Sequence, residues 1–380
     1  MTYKQIKWND LPITIRLSCY RAAKGVAEFH AMINIDNAFG NAAKQFHILE
    51  EAVQRLITSP EMEGVTLVWK RFFLSDAVNQ APFLKQSNGE AVSVVQQQPL
   101  NGSKASLLLY FAENVQLSID TDGTAIMKRP DYEHLFHTQL HEQNGDVIHQ
   151  TCKVFDEYSH SLFRKGCTLE RNCIRTWIFV QDVDVQYAGM VSARRAYFER
   201  EGLTKDTHYI ASTGIEGRYI HPEVLMLIDA YAVANITPAQ IKYLHAYSHL
   251  NSTYEYGVTF ERGTTVDYGD RRHIFISGTA SIDNRGEIVH PMDIDGQIVR
   301  MFENIQALLT EAEASMKDVA HMIVYLRDTA DYAVAHLHVR QYYPNVPHVF
   351  ILAPVCRPGW LVEVECMAVK TINDSRFASF

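Results

Sequence analysis

The sequence predicts an α+β protein built from three tandem copies of one unit, each a mixed sheet with two helices on one face. Three observations predict it. A chain of 380 residues is two to three times the ~150-residue length typical of one domain. Its composition, 47% hydrophobic and 21% charged, is that of an ordinary globular protein with apolar side chain enough for several cores. One pattern also recurs three times: a glutamine opens an amphipathic stretch, and a strand ending in aspartate follows.

That pattern aligns the copies. Gln45 opens QFHILEEAVQRLI and VWKRFFLSD ends at Asp76; Gln150 opens QTCKVFDEYSHSLF and RTWIFVQD ends at Asp182; Gln297 opens QIVRMFENIQALL and MIVYLRD ends at Asp328. The glutamine-to-aspartate separations are 31, 32 and 31 residues. In the last copy Phe302, Ile305, Leu308 and Leu309 mark one helical face. The strand endings FLSD, FVQD and YLRD carry Phe73, Phe179 and Tyr325 at one position. A second helical stretch follows, YAGMVSARRAYFERE in the middle copy and YAVAHLHVRQYY in the last. Each copy closes on an apolar strand: ASLLLYFA, VLMLIDAYAV and WLVEVECMAV. The order within a unit is therefore β-hairpin, strand, helix, strand, helix, strand. The turn-rich stretch 119–132 and the polar stretch 243–257 separate units at 1–120, 130–240 and 255–372, the first being the most diverged. So small a unit leaves its helix-free sheet face apolar, and sister units bury it.

Composition bounds the function. Lys+Arg 35 against Asp+Glu 44 gives a net charge of −9, which argues against nucleic-acid binding driven by phosphate neutralisation. No apolar run reaches the ~18 to 20 residues of a membrane span. The start, MTYKQIKWND, has no apolar signal-peptide core. The six cysteines form no CxxC pair and read as reduced thiols, which points to the cytoplasm. Of the 17 histidines, His134, His137, His141 and His149 share no ligand face, and His336 and His338 diverge on a helix. No metal is expected.

The last copy reads FERGTTVDYG…HIFISGTASIDNRGEIVHPMDIDGQ…VYLRD…APVCRPGWLVEVECMAV. It resembles the Rid superfamily, also called YjgF or L-PSP, over roughly residues 258–370. SGTASID with a later glutamine, the strand ending in LRD and the closing E-x-E-x-x-A carry the resemblance. Rid proteins are trimers with clefts between neighbouring sheets, so three Rid-like copies imply an intramolecular pseudo-trimer, with further homo-oligomerisation left open. A second resemblance is to chorismatases, which hydrolyse chorismate and are built from Rid-like units. They end in a similar Cys-Arg…Glu segment and carry an Arg-x-Trp strand, here Arg175-Thr176-Trp177, and a middle loop similar to IASTGIEGR (210–218). These resemblances imply a hydrolase or lyase without cofactor, acting on a small anionic molecule. An imine or enamine deaminase, an L-PSP-type endoribonuclease or translation inhibitor, and a non-catalytic ligand binder are the alternatives.

Aligned on Ala112, Ala232 and Ala368, the closing strands place Leu107, Leu227 and Glu363 at one position. A buried carboxylate without a partner is costly, or keeps its proton instead. A proton held near neutrality is what a general acid needs. Rid proteins use a glutamate at the matching place, so the resemblance implies that Glu363 is the acid; a slipped register would make it a solvated strand residue. Glu365 lies on the same face by period two and has the acidic counterpart Asp229, which reads as structural. Cys356 resembles the active-site cysteine of one chorismatase class, or is a small buried hydrophobe; Cys366 falls on the opposite face from Glu363, in the core. Arg357, in the turn RPGW, is either a carboxylate clamp or a solvated turn residue. Ser277 and Gly278 match the Rid substrate-contacting pair, with His137-Thr138 or a neighbour as the middle-copy counterpart. Tyr325 lines the cleft or packs in the core. Arg175, Tyr209, Ser212 and Arg218 are candidates to complete the cleft from the middle copy, with Arg175 on one sheet face and Trp177 on the other. The pair Arg194-Arg195 is expected on a helix surface. A gapless alignment back from Glu363 puts His348 where Rid deaminases carry a carboxylate-binding arginine, and Arg262 at their substrate-contacting tyrosine. Both differences count against imine deamination.

Overall fold

The repeated side chains explain how each unit is assembled. Asn41, Asp146 and Asp293 cap the helices Ala42–Ile57, Val147–Arg164 and Ile294–Glu311, each accepting an N–H from three residues on. The recurring glutamine is the fourth residue of each helix, and it is buried. Its amide oxygen accepts the backbone N–H of Lys104 (2.8 Å), Leu225 (2.8 Å) or Leu361 (2.9 Å), so the helix is tied to the chain as it approaches the closing strand. A buried amide must be hydrogen-bonded, and this partner is available only in the assembled unit. The recurring aspartate caps the next turn: Asp76 accepts from Asn79 N and Asp328 from Ala330 N. Asp182 instead adopts φ 49°, and Glu216 from the neighbouring strand accepts the N–H groups of Asp182 and Val183.

The computed structural model describes residues 1–23, 25–36, 40–84 and 89–380. Three mixed sheets form, of six, six and seven strands. In each, a closing strand (Ala105–Glu113, Met226–Ala234 or Val362–Thr371) lies antiparallel between a hairpin strand and a cross strand. The cross strands Val65–Leu74, Cys173–Val180 and Val319–Leu326 then pair in parallel with the next strand of their unit. The hairpin Gln116–Ile119 and Ala125–Lys128 joins the second sheet, and Ile241–Leu244 joins the third. Gln98–Pro99 leaves the first unit and pairs with the third sheet. Long second helices follow in the middle and last copies, Val183–Arg200 and Tyr332–Tyr342. In the first copy the expected helix is one turn, Ala77–Gln80, followed by the 3-10 turn Ala81–Phe83, because Pro82 brings no N–H to a continuing helix. No described helix is long and apolar enough to cross a membrane, and all six cysteines are free.

A β-bulge corrects the register of the first copy. Each cross strand shifts once, between Leu67 and Trp69, Cys173 and Arg175, and Val319 and His321. The residues paired just before the shift are Phe111, Ala232 and Ala368, so Phe111, rather than Ala112, is the equivalent of Ala368. The counterpart of Glu363 in the first copy is then Ser106, not Leu107. The pairings agree, since Phe73, Phe179 and Tyr325 face Ser106, Leu227 and Glu363.

The three sheets meet in a shared core. Trp69 and Leu108, Phe179 and Tyr231, and Phe275 and Tyr325 all belong to one apolar cluster spanning the units. Each interface also holds a buried ion pair: Arg71 with Asp229 (2.7 Å), Arg175 with Glu365 (2.8 Å), and Arg271 with Glu28 (2.6 Å).

Candidate active site

The sequence-derived residues converge where the second and third sheets meet. Glu363 sits on its closing strand between Ala280 and Tyr325 and is 5% exposed. Gly278 makes room for it, because a Cβ there would overlap Glu363 Oε1 and crowd the Thr213 methyl. Ser277 and Gly278 form a second bulge opposite Glu365, and Thr138 and Gln139 form the matching bulge opposite Asp229. Burial pushes the Glu363 carboxyl up to about 8, the charge of Glu365 adds to that, and Arg175 and Arg262 oppose it. At neutral pH Glu363 therefore carries its proton.

The cleft over Glu363 has a cationic rim. Arg194, Arg262 and Arg357 line it together with Tyr187, Cys356 and Trp360, and Ser212, Thr213 and Gly278 form its floor. Arg262 is held by Asn251, through the backbone oxygen (3.1 Å) and Oδ1 (3.1 Å). Arg194 Nε donates to Thr259 Oγ1 at 3.1 Å, and Arg357 lies over the Trp360 ring at 5.3 Å. Among the described residues, the buried Trp360 Nε1–H has no hydrogen-bond partner. The free space is about 30 Å³, which holds water and little else.

Glu363, Gly278, Cys356, Arg357 and Ser212 thus come together. Cys356 is hydrogen-bonded to Tyr187, and burial, with the neighbouring Glu363, pushes its thiol up to about 12, which favours the neutral thiol. Ser277 is fully buried behind the wall: its hydroxyl donates to Glu261 O (2.6 Å) and accepts from Ser212 N (2.9 Å), joining two units. Arg175 is also behind the wall, bonded to Glu365, Thr213 and Ser277. Trp177 shares its sheet face, contrary to expectation, since residues two apart in a strand point the same way; the guanidinium lies 5.1 Å from the indole ring. Tyr325 is fully buried in the apolar cluster. Tyr209 lines a separate outer pocket beyond Arg262. Arg218 lies in a surface groove, paired with Asp182 at 2.5 Å, and does not line the cleft.

Arg194, Arg262, Tyr187 and Trp360 were not singled out as cleft residues from the sequence. Arg194 is 1% exposed rather than on the surface. The signal was present: Met190, Arg194 and Tyr197 follow helical spacing on the buried face, and Arg195 does not. His348, which stands where a carboxylate-binding arginine was sought, is buried with Nδ1 against Val346 O at 2.7 Å and does not line this cleft.

Fold and site describe a three-unit protein with an arginine-walled cleft between its second and third units. A family model described as Endoribonuclease L-PSP matches residues 265–370. A RutC family protein of Pyrococcus abyssi is 38% identical over 100 residues, 26% of this chain and 78% of that protein. The 3-aminoacrylate deaminase RutC of Acinetobacter baylyi is 28% identical over 97 residues, 25% of this chain and 77% of that protein. The chain belongs to the RutC family, within the Rid (YjgF/L-PSP) superfamily. A crystal structure of a chorismatase superposes with a TM-score of 0.64 at 18% identity, covering 82% of this chain and 96% of that one, so the fold is shared over that length.

Proposed function

We propose that the chain is a hydrolase or lyase of a small cyclic acid with two carboxylates, chorismate being the type substrate, and that Glu363 is its general acid. One observation carries this reading: a carboxylic acid that keeps its proton at neutral pH stands in a cleft walled by three arginines. Guanidinium groups match carboxylates in charge and fork geometry. Glu363 protonates the enol ether's methylene carbon, forming a C–H bond and leaving an oxocarbenium ion. Water adds to that cation to give a hemiketal, whose remaining hydroxyl proton passes to the ring oxygen as the ether C–O bond breaks, so that pyruvate departs and the ring acid keeps its hydroxyl. The water's proton returns to Glu363. The chemistry calls for no cofactor. Because the closed cleft is smaller than such a substrate, the wall segments carrying Val258 to Arg262 and Cys356 to Trp360 must part to admit it.

Hydrolysis of an enamine or imine acid is the second reading, favoured by the likeness to a 3-aminoacrylate deaminase; here Arg262 or Arg357 would have to replace the arginine absent at His348. Incubation with chorismate decides between them. Pyruvate and a hydroxybenzoate or dihydroxycyclohexadiene acid support the first reading. Ammonia release from an enamine acid, with chorismate untouched, replaces it with the second.

A further inference from the structure

We infer that Glu365 is a positioning residue for the acid: by engaging Arg175 across the unit interface, it keeps that guanidinium away from Glu363 and leaves the proton where catalysis needs it. The inference rests on the reading of Glu363 as the acid. Its basis is the network. Every hydrogen bond found on the Glu365 carboxylate comes from the second unit, from Arg175 Nη2 at 2.8 Å and Trp177 Nε1 at 2.7 Å. Arg175 Nη2 also donates to Thr213 Oγ1 at 2.5 Å, and that oxygen accepts the N–H of Gly278 at 2.9 Å. Gly278 in turn lies against the Glu363 carboxyl. Thr213 and Gly278 thus link the guanidinium to the acid, and Arg175 and Glu363 are both buried.

A bare cation placed there would favour the ionised form of Glu363. Paired with Glu365, it nearly cancels, and the Glu365 charge itself, two residues along the same sheet face, opposes ionisation. The charged and titratable groups around Glu363 are Glu365, Arg175, Arg262, Cys356 and Tyr325, with Arg194 and Arg357 in the same cleft wall. The protein contains its own control. Asp229 occupies the ladder position of Glu365 one interface away, where it takes Arg71 at 2.7 Å and the Gln139 N–H at 2.9 Å. Leu227 stands there in place of Glu363, so the pair docks units with no acid beside it.

The test is a carboxyl-carbon NMR titration of the full-length, ligand-free protein with labelled glutamate, the Glu363 signal being assigned by its loss in Glu363→Gln. Glu365→Gln should lower the Glu363 midpoint by about one pH unit or more, and Arg175→Met should raise it. Asp229→Asn, which breaks the equivalent pair, should leave it in place. Opposite shifts from two variants that break the same ion pair are not what a purely structural role gives. A Glu365→Gln midpoint equal to wild type overturns the inference, as does an equal shift in Asp229→Asn. Should Glu365→Gln not fold, an unchanged or lowered midpoint in Arg175→Met overturns it. A wild-type midpoint in the ordinary carboxylate range would instead defeat the acid assignment itself; a raised one that Glu365→Gln does not move defeats only the positioning role.

Discussion

The interface between the second and third units and that between the first and second share their docking chemistry and differ in one ladder position. Both bury an arginine from the earlier unit against a carboxylate on the later unit's closing strand, Arg175 with Glu365 and Arg71 with Asp229. Both carry a two-residue bulge opposite that carboxylate. Two residues before it, the third unit has Glu363 and the second has Leu227. Leucine there is what a core strand calls for, and it is 1% exposed. The glutamate costs stability and is placed among arginines. The difference isolates one position: both ion pairs dock units, and only the pair between the second and third units has a buried glutamate beside it.

The largest expected effect is on turnover. Glu363→Gln keeps shape and hydrogen-bonding capacity but has no proton to give, so the rate of pyruvate release should fall by about 10² to 10⁴-fold. Asp229→Asn sharpens the contrast from the other side. Breaking a buried pair by removing one partner costs about 3–5 kcal/mol, so chemical denaturation should show that loss while turnover per folded molecule is unchanged. Arg357→Met, removing a charged donor from the cleft wall, should raise KM by about tenfold to a hundredfold with a smaller effect on kcat.

Glu363→Gln should also stabilise the fold, and more so at alkaline pH. The folded-state value of about 8 lies above the ordinary 4.5. The group's contribution is intact below the unfolded value and is lost as pH rises through the folded one, so ionised Glu363 burdens the fold at high pH. Thermal denaturation should show a gain of several kcal/mol for the glutamine variant at pH 8.5, and almost none at pH 4. The smallest effect belongs to Cys356→Ser. A thiol held protonated is a wall atom, and turnover should stay within the same order of magnitude.

How much of this was legible in the sequence follows from which interactions repeat. The glutamines and aspartates were readable because they do one local job in each copy, tying a helix to its closing strand and capping the next turn. Glu363 was readable because it interrupts an apolar strand. The one-residue displacement that makes Ser106 its counterpart was not, since Phe111 and Ala112 are both apolar and the hydrophobic pattern alone does not say which of them matches Ala368. Nor could the strand pattern say that Ser277 and Arg175 would spend their hydrogen bonds on one another and on the wall behind the cleft. Arg194 reads as a surface residue, and Arg262 only as a replaced tyrosine, because an arginine on a buried face looks solvated until the opposite unit is in place.

The account turns on the protonation of a single carboxyl group, and the titration of Glu363 in the ligand-free wild-type protein measures it most directly. A midpoint near 8 is the predicted result. A midpoint near the ordinary 4.5 would mean an ionised glutamate at neutral pH, held by the arginines around it and unable to serve as the acid.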